Sequence, residues 1–263
     1  MPNNPTAAII VIGDEILSGR TIDSNVNTIA KFLGALGIDL LEVRMIRDDE
    51  AQVVSTVNAL RNTYEYVFTT GGIGPTHDDI TADCMAKAFG VDISEHPAAL
   101  KALTDRALKM GWALNDNSRR MARIPHGAEL ISNPVSAAPG FQIGNVFVMA
   151  GVPKIMEAML EDVVHRLRTG NTVLSRTIKL SYVGESSAAD ALREINGRYT
   201  DLSLGSYPYG LSLDGAFGTQ LVVRGQDAER VDAAVNELKA ALVSVVEQGK
   251  ARNPLASFEE ITA

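Results

Sequence analysis

The chain has 263 residues, enough for one large or two ordinary domains, and its 46% hydrophobic content supports a sizeable core. With 24 Lys+Arg against 32 Asp+Glu, the net charge of −8 argues against a nucleic-acid groove or an anionic membrane surface as partner. A single cysteine, Cys84, excludes an intrachain disulfide, and the polar start from Met1 to Thr6 predicts no signal peptide; with no apolar run of transmembrane length, a reduced, cytoplasmic protein is expected. An anionic ligand would have to be held by local backbone dipoles, a few basic side chains and a metal rather than by the global field.

In chain order, the apolar run 7–12 reads as a strand buried on both faces. Asp23 or Ser24 can cap a helix with Val26, Ile29, Ala30, Leu33 and Leu36 on its apolar side, ended by Gly37. A strand over 38–46, a helix over 50–62, a strand over 65–70 and a helix over 81–89 follow, the last placing Cys84 inward as a small apolar filler. This alternation predicts an α/β fold of three layers, α/β/α, with a mostly parallel sheet. In such sheets ligands bind beyond the carboxyl ends of the strands, so Asp14, Asp48 and Gly71 should converge on one rim. A helix over 97–110 comes next, then a hairpin turning at Gly144-Asn145 and a helix begun by Pro153. Near Thr169-Gly170-Asn171 the pattern changes to strict alternation over 177–183, then a helix stopped by Gly197, two strands and a long final helix. The expectation is two domains, 1–170 and a small α+β domain of order βαββα over 171–263, with a loose tail from Ala251.

The most informative stretch is Thr69-Thr70-Gly71-Gly72-Ile73-Gly74-Pro75-Thr76-His77-Asp78-Asp79-Ile80-Thr81. Glycines at a strand-to-helix turn let the backbone approach a ligand, and successive N–H groups there can form an anion-binding nest. Acids beside such a cradle suit a Mg²⁺-bridged polyphosphate. The string is neither a Walker A loop nor a Gly-x-Gly-x-x-Gly turn. The plainer alternative is a turn with a Thr76–Asp79 capping box on the following helix.

The first domain resembles the molybdopterin-binding fold, and most closely the CinA family of competence/damage-inducible proteins and the N-terminal domain of eukaryotic FAD synthases. The resemblance rests on Gly13-Asp14-Glu15-Ile16-Leu17-Ser18-Gly19, Asp23-Ser24-Asn25, Asp48-Asp49, the 69–81 string, Ala138-Pro139-Gly140-Phe141 and Gly151-Val152-Pro153. In the second domain Ser175-Arg176-Thr177, Gly184-Glu185-Ser186 and Gly205-Ser206-Tyr207-Pro208 also fit. Ile73 stands where molybdopterin adenylyltransferases usually have Thr, Met149-Ala150-Gly151 replaces a common Leu-Pro-Gly, and Met121 replaces a Gln. Long CinA proteins continue into a deamidase domain that this sequence does not reach.

The resemblance implies catalytic or metal-linked roles for Asp48 and Asp79, with helix capping as the alternative for both. Asp78, beside Asp79, joins Asp48 and Asp79 as an expected metal ligand, for Mg²⁺ first and Mn²⁺ or Co²⁺ otherwise. Gly13, Asp14, Glu15, Ser18, Asn25, Gly71, Gly72, Gly74, Thr76, Gly151 and Pro153 are the expected ligand- or phosphate-binding set; Ser18 and Asn25 could donate to phosphate, or serve as turn and cap residues. Arg119, Arg120 and Arg123 could reach a phosphate or form a solvated face, and Trp112 could stack on a purine or simply pack. His77 could meet a phosphate or be an exposed loop histidine, while His96, His126 and His165 show no metal-ligand spacing and read as surface residues.

The expected function is a metal-dependent nucleotide pyrophosphatase acting on an ADP-ribose- or FAD-like dinucleotide, as a homo-oligomer. The alternatives are molybdopterin binding or adenylylation in molybdenum cofactor biosynthesis, and a non-catalytic ligand sensor.

Overall fold

The computed structural model describes residues 4–210 and 215–261, so Met1, Pro2 and Asn3, part of the polar start, lie outside the described residues. The chain divides into two compact units between Asn171 and Thr172.

The first unit runs β1 (Thr6–Ile12), α1 (Asp14–Leu17), α2 (Asn25–Ala35), β2 (Asp39–Ile46), α3 (Glu50–Arg61), β3 (Tyr66–Thr70), α4 (Thr81–Phe89), β4 (Ile93–Glu95), α5 (Pro97–Lys109), α6 (Asp116–Arg120), β5 (Arg123–Pro125), β6 (Glu129–Ile131), β7 (Gly140–Ile143), β8 (Val146–Met149) and α7 (Pro153–Val163). The main sheet has the order β2-β1-β3-β8-β7-β6. β1 pairs in parallel with β2 and β3, and β3 with β8, while β7 and β6 return antiparallel. The antiparallel edge follows from the tight Gly144-Asn145 turn, where Gly144 takes φ +57°: a two-residue hairpin can only reverse direction.

The period of two along β1 sorts its side chains onto two cores, which makes the unit three-layered. Ala8, Ile10 and Ile12 point toward α3, α4 and α5, meeting Val53, Val57, Leu60, Cys84, Met85 and Leu103. Ala7, Ile9 and Val11 point toward α2 and α7, meeting Ile29, Leu33, Met156, Met159 and Leu160. A strand buried on both faces carries no polar alternation, which is why 7–12 reads as a continuous apolar run. Each fully buried Leu or Ile here contributes about 1.5–3 kcal/mol of transfer free energy.

The second unit comprises β9 (Leu174–Ser181), α8 (Glu185–Arg198), β10 (Ser203–Tyr209), β11 (Gly218–Gly225), α9 (Ala228–Lys250) and β12 (Ser257–Ile261). Its antiparallel sheet, β10-β11-β9-β12, packs Ile178, Leu180, Leu221 and Val223 against Ile195 of α8 and Val231, Val235, Leu238 and Leu242 of α9.

Two expectations are corrected here. α8 runs one residue past Gly197 to Arg198 and is capped at Tyr199, so Gly197 lies within the last turn and is not itself the stop, at a cost of only about 1 kcal/mol. The tail is not loose over its whole length, since 257–261 pairs antiparallel with β9 as a sheet edge and changes the order to βαββαβ. No described helix is long and apolar enough to cross a membrane.

Candidate functional site

The strand ends of β1, β2 and β3 meet at one rim, as parallel topology requires. There the backbone N–H of Asp14 donates to Oδ2 of Asp48 at 2.9 Å, so the turns after β1 and β2 are joined directly. Arg47 grips the Asp14 carboxylate with two bonds, 3.0 Å from Nε to Oδ1 and 3.2 Å from a terminal nitrogen to Oδ2. The guanidinium holds the Asp14 carboxyl below the ordinary range for aspartate.

Asp48 is in the opposite condition. Burial pushes its carboxyl upward and the charges of Glu15, Asp14 and Asp78 push the same way, against the lowering effect of the Asp14 N–H. Its Oδ1 faces the loop after β3, 3.6 Å from where a side chain on Gly72 would begin. Asp48 is therefore a half-buried acid placed between the first and third strand ends.

Packing alone requires glycine at two positions of the loop. Gly71 has φ +102° and an added Cβ would stand 2.1 Å from the Ile12 carbonyl oxygen. Gly72 has φ +65° and its Cβ would meet the buried Thr81 hydroxyl at 2.2 Å. Thr81 stitches the turn: its N–H donates to Gly72 O at 3.0 Å and its hydroxyl to Gly71 O at 3.1 Å.

Asp79 supplies the loop's own anion. Gly74 N–H donates to its Oδ1 at 2.6 Å, and the Thr76 N–H and hydroxyl donate to its Oδ2 at 2.7 and 2.5 Å. Two amides expected to cradle a phosphate are thus occupied by a carboxylate, and about three of that carboxylate's four acceptor positions are used. The Thr76–Asp79 pairing is present, but not as a helix cap, because α4 begins only at Thr81 with Ile80 as its N-cap. Gly72 and Ile73 keep N–H groups with no hydrogen bond among the described residues.

A small cavity of about 20 Å³ opens on one side of the loop, lined by Gly72, Ile73, Gly74 and Asp79 together with Arg120, Met121 and Arg123. Of the basic cluster, Arg119 pairs with Glu95 and Arg123 forms a bidentate pair with Asp83 at 2.9 and 2.6 Å, leaving Arg120 as the cavity's other guanidinium. On the other side lies a cleft of about 60 Å³ where Glu15, Asn25, Gly71, Gly151 and Pro153 come together. Among the described residues, no three His, Cys, Asp or Glu side chains stand close enough to hold a metal. The expected ligand trio Asp48, Asp78 and Asp79 is therefore not assembled: Asp79 faces inward on the loop amides, and Asp78 is exposed beside it.

Other expected residues sit outside these contacts. Ser18 is exposed and bonds the Glu15 carbonyl, as a turn residue does. Trp112 is 63% exposed, so it is not packing material. The role of Thr81 beneath the loop escapes sequence reasoning, since it depends on contacts hidden under the glycines.

Comparison with known proteins bears on the family and the fold. Residues 8–169 match the family described as "Probable molybdopterin binding domain". The chain belongs to the molybdopterin-binding domain family. Residues 172–248 match the FAD synthase middle domain. A competence-damage inducible protein of Clostridium botulinum (strain Kyoto / Type A2) is 32% identical over 76% of this chain and 51% of its own length. A second such protein, from strain ATCC 19397 / Type A, is 27% identical, over 98% of this chain and 64% of its own length. The chain thus spans about half to two thirds of the length of these curated relatives. A protein of Aeropyrum pernix is 34% identical over 80% of this chain and 81% of its own length. Among solved structures, the protein CinA from Thermoplasma acidophilum, described as of unknown function, aligns with a TM-score of 0.58 and 34% identity, covering 62% of this chain and 98% of that one. The fold is thus the molybdopterin-binding type, with CinA-like relatives and a separate small sheet domain.

Proposed function

We propose that this chain is a nucleotide pyrophosphatase that hydrolyses an ADP-ribose- or FAD-like dinucleotide with the help of a divalent cation. The observation that carries the reading is the placement of half-buried Asp48, its carboxyl raised by burial and by three neighbouring acids, against the Gly71–Gly72 turn. Uncompensated negative charge next to backbone donors suits a cation shared with a diphosphate. Mg²⁺ is ordinarily held by one or two carboxylates plus substrate phosphates and water, so a full protein cage is not needed. Asp48 would hold it, with Asp78 within electrostatic reach; when bound, the ion would supply Lewis-acid polarisation of phosphoryl oxygens.

The chain's own groups would do the rest. The N–H groups of Gly72 and Ile73 would donate to a phosphate oxygen, and Arg120, across the adjoining cavity, would take up phosphate charge. Asp79 would keep the loop in the shape that presents those donors. In the reaction a water oxygen forms a bond to one phosphorus, the bridging P–O bond breaks, and two monophosphates leave. A serine or cysteine nucleophile is not required; Cys84, buried in the core, would take no part.

The test is incubation of pure protein with ADP-ribose, FAD and related dinucleotides, with Mg²⁺, Mn²⁺, Co²⁺ or chelator, and chromatography of the products. AMP with ribose 5-phosphate, or AMP with FMN, formed only with metal, is the expected result. No turnover under any metal, together with tight binding of a phosphorylated pterin, would replace the reading with molybdopterin binding.

A further inference from the structure

Asn25 opens α2 and is 4% exposed. Its Nδ2 donates to the Gly151 carbonyl at 2.8 Å. That bond fixes the amide's orientation, because the flipped side chain would set carbonyl against carbonyl. The Oδ1 is left buried and accepts no hydrogen bond among the described residues. Folded proteins pair nearly all such atoms, so this orphan calls for a donor, and the residue that carries it lines a cleft.

The cleft that Asn25 lines, about 60 Å³, shows which donor suits it. Its polar wall includes Glu15, Thr21, Asp23 and Ser24, and none of its lining residues is basic. An anion there would meet two carboxylates with no cation to offset them. Apolar Val11 and Ile16 complete the wall and suit the body of a ring. Gly71 belongs to this cleft, while Gly72 belongs to the cavity that holds Arg120 and Arg123. The two faces of one turn thus differ in chemistry: on one, guanidinium groups stand beside the carboxylates of Asp79 and Asp83, and on the other there are carboxylates and no cation.

We propose that the Asn25 cleft is a sugar subsite, in which a ribose hydroxyl of the nucleotide donates to Asn25 Oδ1 while the phosphates lie toward Gly72 and Arg120. This rests on the nucleotide reading of the loop. It reverses the expectation that Asn25 donates to phosphate, since one amide proton is committed to Gly151 and the free atom is an acceptor. In ADP-ribose, and on the adenosine side of FAD, the hydroxyl-bearing group adjoining the phosphates is a ribose.

The test is calorimetry in Mg²⁺ buffer with inorganic pyrophosphate, ADP, 2′-deoxy-ADP and 3′-deoxy-ADP, on the wild type and Asn25→Ala, with thermal melting to confirm folding. One deoxy analogue should bind the wild type about tenfold more weakly than ADP, the loss expected when a buried acceptor goes unpaired. In Asn25→Ala that difference should vanish, while pyrophosphate binds both proteins alike. Asn25→Ser is the second variant if release of Gly151 unfolds the first; it should lose the discrimination too. If pyrophosphate and ADP bind but both deoxy analogues match ADP in the wild type, the sugar subsite is overturned and the loop reading stands. Discrimination that survives both substitutions overturns the assignment to Asn25. Failure of both ADP and pyrophosphate to bind overturns the nucleotide reading, and the subsite with it.

Discussion

Asp79 binds the backbone of its own loop: Gly74 N–H reaches Oδ1 at 2.6 Å and Thr76 N–H reaches Oδ2 at 2.7 Å. An acid expected to hold a metal is instead the anion in a nest of amides. A diphosphate has to be received by what remains, namely the Gly72 and Ile73 N–H groups and the groups beside them.

This separates Asp79 from Asp48 by experiment. Asp79→Ala removes bonds from two amides and a hydroxyl to a charged acceptor, and should cost about 1.5–3 kcal/mol in urea unfolding. Asp79→Asn, which keeps one carbonyl acceptor, should cost less. Pyrophosphate affinity should fall in step with loop stability in both variants. Unchanged stability in Asp79→Ala would show that the carboxylate does not hold the loop.

Gly71→Ala should destabilise the fold itself, not merely the ligand complex. A Cβ at φ +102° carries a strain of about 1–3 kcal/mol, and it stands 2.1 Å from a carbonyl oxygen of β1. Overpacking of this kind typically adds another ~1–3 kcal/mol. A Tm equal to wild type would mean that the turn can relax away from Ile12.

Cys84 gives a pH signature. Burial pushes its thiol up to about 12 from the ordinary 9.0. With the folded value raised, this contribution to stability is fully present below pH 9.0 and is lost as pH rises toward about 12. At pH 8 the native thiol should resist a disulfide reagent and react only at the rate of unfolding. Fast labelling without loss of native circular dichroism would contradict the buried placement.

The fold was legible wherever periodicity matched burial. The run 7–12 and the helix Thr81–Phe89 are read directly, because a doubly buried strand is uniformly apolar and Gly90, at φ +66°, is a strong helix stop. Strand 257–261 was not legible, since Ser257, Glu259 and Glu260 make an edge strand look like a polar tail. The convergence of Asp14, Asp48 and Gly71 followed from topology alone. Asp79's partners did not, because a carboxylate near an amide nest and one near a metal have the same sequence. The orientation of Asn25 depends on Gly151, 126 positions away, which no local pattern reveals.

The central claim is that Asp48 serves turnover of a dinucleotide through its charge. Asp48→Asn keeps size and an acceptor for the Asp14 N–H but removes that charge. The most direct measurement is AMP release from ADP-ribose or FAD at saturating substrate with Mg²⁺, wild type against Asp48→Asn. The account predicts a kcat lower by at least ~100-fold in the variant, from the several kcal/mol that a positioned cation supplies, with the fold intact by circular dichroism. A folded Asp48→Asn protein that releases AMP at the wild-type rate would contradict it.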